Sequence, residues 1–215
     1  MIVIGVLIGM QEIFMKNKKE IIKTFKENID INRLSKDEKN LIIPNDRSDF
    51  ISYVEFLKYF SDLNKITKHN VVIGINFTYG WMPTIFHFRS SDMDLVIDIL
   101  NKAKQGIVPD ETQLDILKRF FNNSLVGTSK LLHFINPEIF AIWDSRVFRY
   151  LTNKEAYENR INDYKSYLDY LEFCKYITSQ SEYNKIHESI INKVGYKMTK
   201  FRTLELIMYL NGGKK

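Results

Sequence analysis

Apolar residues recur at three- and four-residue steps in segment after segment of this chain. That period draws a stripe along one side of a helix, whereas a strand alternates its faces every second residue. Phe50, Tyr53, Val54, Leu57, Phe60 and Leu63 predict an amphipathic helix over about 47–68, with Lys65 and Lys68 in its last turn, at the negative end of the helix dipole. Leu95, Val96, Ile99, Leu100 and Ala103 predict another behind Ser91, with Asp94 completing a capping box. Leu114, Leu117, Phe120 and Phe121 line a helix that opens after Pro109 and stops near Asn122-Asn123. Thr152-Asn153-Lys154-Glu155 reads as a further capping box. Behind it Tyr157, Ile161, Tyr164, Leu168 and Leu171 keep a helical period. Phe201, Leu204, Ile207 and Met208 form a last helix, closed by Asn211-Gly212 with the glycine left-handed. The run Val71 to Phe77 suits a buried strand or a buried helix, and the helix is preferred. Strand signals are few, so the predicted class is all-α.

A chain of 215 residues buries a substantial core, and no repeat or Pro/Gly-rich linker divides it. One helical domain over 16–215 is expected, as a monomer. Residues 1–15 stand apart. The apolar run Met1 to Met10 is shorter than the ~20 residues of a membrane span and lacks the basic start of a signal peptide. It either packs as a first strand or helix or reflects initiation at Met10 or Met15. Cys174 is the single cysteine, which excludes an intrachain disulfide, a four-cysteine zinc site and a cysteine-held iron-sulfur cluster, and suits a reducing cytoplasm. The net charge of +5 favours a polyanionic partner. The 15 Phe and 12 Tyr suit either a core or stacking on unpaired bases.

One stretch carries candidate chemistry. Ser124 to Phe134 reads as a glycine-containing turn entering a helix directly behind the helix at 110–122, so two helices flank a hairpin over 110–151. Backbone N–H groups of Val126, Gly127 and Thr128 at such a turn suit a phosphate. Asn136-Pro137-Glu138 fits a one-turn helix. Phe140-Ala141-Ile142-Trp143 then leads to a single carboxylate, Asp144, at a helix start, followed by Arg146 and Arg149. Asp144 is equally suited to capping that helix. His133 suits a buried, hydrogen-bonded place. Tyr79-Gly80-Trp81-Met82-Pro83-Thr84 predicts a turn that presents a large aromatic, either to a base or to the core. His87 and Arg89 form no metal-ligand spacing. Nucleotide-type phosphate loops, His-Glu-x-x-His patterns and acidic calcium loops are absent from the sequence.

Gly127-Thr128-Ser129-Lys130, followed by Ala141-Ile142-Trp143-Asp144-Ser145-Arg146-Val147-Phe148-Arg149, resembles the helix-hairpin-helix DNA glycosylases, the superfamily of endonuclease III and the 8-oxoguanine DNA glycosylases. The resemblance implies a helical fold that binds duplex DNA with one base extruded and uses no metal or organic cofactor. It gives Asp144 the role of the essential aspartate, and Lys130 that of an attacking amine if its side chain reaches the sugar. Without gaps, Ser129 takes the register of the family's lysine, which would make water the nucleophile. Leu125 stands where the first hairpin glycine belongs. Val126, Gly127, Thr128, Arg146 and Arg149 would contact the nucleic acid, while Tyr79, Trp81, His133 and Trp143 would line or wedge the base pocket.

Overall fold

The computed structural model describes residues 25–43, 48–82 and 92–213. The apolar opening run, Ser91 with its capping box, and Pro83, Thr84, His87 and Arg89 lie outside them. Among the described residues there is no strand, and no helix is long and apolar enough to cross a membrane. The labelled helices are α1 (Ile31–Lys39), α2 (Ser48–Ser61), α3 (Lys68–Trp81), α4 (Met93–Lys104), α5 (Glu111–Phe120), α6 (Leu125–Ile135), α7 (Ser145–Thr152), α8 (Glu158–Ile161), α9 (Tyr164–Thr178), α10 (Tyr183–Val194) and α11 (Lys200–Asn211). Residues 25–28 are helical as well.

Two helices organise the packing. α6 touches α2, α3, α4 and α5, and α11 touches α1, α7, α9 and α10. Every residue of α11 from Phe201 to Met208 is buried. A helix buried all round belongs to the centre of a fold. The aromatic content fills the space around α6: Phe56 stacks on Phe77 with ring centroids 4.2 Å apart, and both meet Phe134 edge to face.

Several boundaries differ from the sequence expectation, each for a local reason. The period over 47–68 is interrupted at Ser61, because Asn101 holds the Ile66 backbone from both sides, accepting from Ile66 N and donating to Ile66 O. Thr67 then caps α3 together with Asn70, so the run Val71 to Phe77 is helical. Lys68 accordingly opens α3 and does not close α2. Tyr79, Gly80 and Trp81 belong to α3. Asn136 to Glu138 forms a turn without a helix. Thr152 ends α7 instead of opening a new helix: its hydroxyl donates back to Phe148 O, and Asn153 takes the left-handed conformation. The true cap of the long helix behind it is Asp163, which accepts from Ser166 N.

At the C-terminus of α11, Gly212 has φ −91°, not the left-handed value expected. The need for glycine is steric. A Cβ here would lie 2.0 Å from the Arg146 carbonyl oxygen, where α11 meets α7. Gly212→Ala is expected to cost about 1–3 kcal/mol, a fall of several degrees in melting temperature for a chain of this size. Gly213→Ala, whose Cβ meets nothing within 4 Å, is the control, and equal melting temperatures for the two variants would refute the steric account.

Candidate active site

The α5–α6 connection is as tight as the sequence suggests, yet Gly127 does not make it. Asn122 and Asn123 take consecutive left-handed conformations, φ 53° and 57°, which short polar side chains tolerate better than most. Ser124 caps α6 by accepting from Gly127 N at 3.0 Å, and Leu125 N donates to Asn162 Oδ1 at 3.1 Å. Thr128 N donates to Ser124 O at 3.0 Å, so three of the hairpin amides, Leu125, Gly127 and Thr128, are bonded within the protein. Val126, Gly127 and Thr128 lie in the first turn of α6, and Thr128 is buried with its hydroxyl donating to Ser124 O. A Cβ on Gly127 would come within 3.0 Å of the Tyr79 hydroxyl. That hydroxyl donates to Phe121 O at 2.6 Å. Tyr79 thus anchors the hairpin from α3, and Gly127 makes room for it.

Three other candidates are framework residues in this geometry. Trp143 has no exposed surface, and its indole N–H donates to Ile161 O at 2.9 Å. Ser129 has none either. Its hydroxyl accepts from Trp143 N at 3.0 Å and has the carbonyls of Val126 and Trp143 within reach of its proton, at 2.9 and 3.2 Å. His133 is fully buried, with Nδ1 2.6 Å from Phe140 O and Nε2 2.8 Å from the Tyr53 hydroxyl. A carbonyl oxygen only accepts, so Nδ1 carries the proton and Nε2 accepts from Tyr53. Burial, helped by the Arg202 charge, brings the His133 pKa down to about 3 and keeps the ring neutral.

The remaining candidates are Asp144, Lys130, Trp81, Arg149 and Arg146. Asp144 heads α7, with Oδ1 accepting from Arg146 N and Val147 N, both at 2.9 Å. Oδ2 accepts no hydrogen bond among the described residues. Lys130, half-buried on α6, holds its Nζ 5.1 Å from the centre of the Trp81 ring at the end of α3. Trp81 also meets Phe134 edge to face, and its indole N–H is buried without an acceptor among the described residues. Arg149 donates from Nε to Gly212 O at 3.0 Å. Arg146 is exposed and lies over the Tyr209 ring at 4.6 Å, so both arginines lean on the C-terminal end of α11.

Sequence reasoning missed the charges inside α11. Glu205 and Arg202 form a buried ion pair, and Arg202 lies over the Tyr53 ring at 4.8 Å. Burial pushes the Glu205 carboxyl up to about 7. Asp144 adds to that push, while Arg202 and Lys130 oppose it. Two charges three residues apart, within Phe201 to Met208, were the available signal. No group of side chains suited to a metal ion occurs among the described residues. Comparison with protein-family models, with curated proteins and with solved structures gives no match.

The two shifted groups oppose each other in their effect on stability. His133 takes its proton near pH 6.5 when unfolded but near 3 when folded, so its contribution is complete above 6.5 and is lost on acidification through that window. Glu205 runs the other way: folding raises it from 4.5 to about 7, so its contribution is complete below 4.5 and is lost as pH rises to 7. In Glu205→Gln the opposing slope disappears. Between pH 4.5 and 6.5 the free energy of unfolding should then climb with pH more steeply than in wild type, by up to about 1.4 kcal/mol per unit. Urea titrations across that window provide the check, and parallel pH profiles would refute the assignment.

Proposed function

We propose that the chain is a DNA glycosylase-like enzyme that cleaves the N-glycosidic bond of a damaged or modified base. The observation that carries the reading is the fixed carboxylate of Asp144 at the head of α7. Asp144 is anchored through one oxygen by two backbone N–H groups, and its other oxygen has no bond among the described residues. As the bond to the base breaks, positive charge grows on the deoxyribose, and a fixed carboxylate beside C1′ stabilises it without reorganising. The base departs with the bonding electron pair and takes up a proton. Either water or the Lys130 amine then adds at C1′, and the amine route leads on to a Schiff base. Lys130 covers one face of the Trp81 ring, which leaves a base the edge or the opposite face.

A second reading, a noncatalytic DNA- or RNA-binding helical protein, draws on one observation: Ser129 stands in the lysine register with its hydroxyl committed to the framework. The readings part in one experiment. Wild type, Asp144→Asn and Lys130→Ala are incubated with duplexes carrying different lesions, with and without borohydride. The glycosylase reading expects base release from at least one lesion, reduced by about 100-fold or more in Asp144→Asn, and trapping that depends on Lys130 if the amine attacks. Salt-sensitive binding without release from a broad panel favours the noncatalytic module.

A further inference from the structure

A cavity of about 380 Å³ lies beside the C-terminal end of α7, lined also by residues of α8 and α9. That volume suits a small organic ligand. α7 is eight residues long, which sets Asp144 at its head about 12 Å along the axis from this end. Phe25 and Phe148, both buried, supply the apolar wall, whereas Lys154, Asn159 and Arg160 are exposed at the rim.

The polar groups of the lining fall into two kinds. Arg160 donates from Nη1 to Glu155 O at 3.0 Å, and its guanidinium lies over the Tyr157 ring at 5.0 Å. These contacts orient the guanidinium plane and leave its Nε–Nη2 edge without a bond among the described residues. Two parallel N–H groups on that edge match two oxygens of one phosphate or carboxylate. The side chains of Lys154 and Asn159 likewise make no bond among the described residues. Asp163 is the one acid among the described lining residues. Its Oδ2 accepts from Ser166 N and Oγ at 2.8 and 2.6 Å, while Oδ1 accepts nothing among the described residues. The cavity therefore combines cationic donors, one open carboxylate oxygen and an apolar wall. A simple anion would use the donors alone. A nucleotide uses all three, through its phosphate, a hydroxyl or N–H donor, and its planar base.

We propose that this cavity binds a nucleotide, with the phosphate on the Arg160 edge and Lys154, a sugar hydroxyl or base N–H on Asp163 Oδ1, and the base against Phe148 and Phe25. The site is independent of the glycosylase reading, and its occupancy is measured without turnover.

The test is isothermal titration calorimetry of the full chain at low salt with the 5′-monophosphates of adenosine, guanosine, cytidine and uridine. At least one should bind with Kd below about 1 mM. The matching nucleoside, which lacks the phosphate, and ribose 5-phosphate, which lacks the base, should each bind about 10-fold more weakly or worse. Arg160→Lys keeps the charge but loses the two-pronged edge, and should weaken binding about 5- to 10-fold, as should Lys154→Ala. Lys185→Ala, which removes one exposed charge from α10, should stay within about twofold of wild type. All three positions are exposed, and equal melting temperatures establish that the variants fold. Absence of binding by all four mononucleotides overturns the proposal. So does ribose 5-phosphate binding as tightly as the nucleotide, Arg160→Lys matching wild type, or Lys185→Ala losing as much as Lys154→Ala. An oligonucleotide that displaces the bound mononucleotide identifies the ligand as part of a strand; failure to displace it identifies a free nucleotide, and either result upholds the site.

Discussion

The burial of α11 on all sides is the constraint on which the rest of the structure depends. From Phe201 to Met208 it meets protein in every direction, so any charge on it must find its partner inside. Arg202 and Glu205 find each other, and the guanidinium rests on the Tyr53 ring. Tyr53 in turn bonds His133, which bonds the Phe140 carbonyl. A polar path thus runs from the centre of one helix group to the centre of the other, through α2 and α6, and ends on the segment that leads to Asp144. Each group contacts the next, while Arg202 Nε is buried without a hydrogen-bond partner among the described residues.

The same burial explains why the candidate site lies where it does. α7 packs more extensively against α11 than any other pair of helices does. Gly212, which caps α11, touches the Arg146 carbonyl directly. The head of α7, where Asp144 sits, is therefore held against the C-terminal end of α11.

Helical periodicity was legible because it reports burial on one side, and it located α4, α5 and α11 within a residue or two. α1 and α10 went unread. In α1 Leu34 is the one buried apolar residue, whereas in α10 Tyr183, Ile186, Ile190 and Val194 keep the helical period and were overlooked among the charges between them. Boundaries set by distant partners were also invisible: Asn101 interrupts the first long period through Ile66, a residue it meets only in the folded chain. Within the site, Asp144 was readable as a helix-heading carboxylate, and it occupies that position. Gly127 suggested a turn, whereas its lack of a side chain accommodates Tyr79. His133 was readable as a buried, hydrogen-bonded residue, and it is one, whereas Trp143, which the resemblance assigns to a base pocket, is held in the core with its indole N–H bonded to Ile161 O. Glu205 escaped notice although Arg202 stands three residues before it in the same helix.

Ser129 and Trp143 are joined through the Ser129 hydroxyl, and each immediately precedes a residue of the candidate site. The bond therefore acts as a datum. The separation between the Lys130 and Asp144 backbones is set by this buried bond and not by the side chains at the surface. A buried serine hydroxyl thus spaces the two main-chain positions that carry the candidate carboxylate and amine.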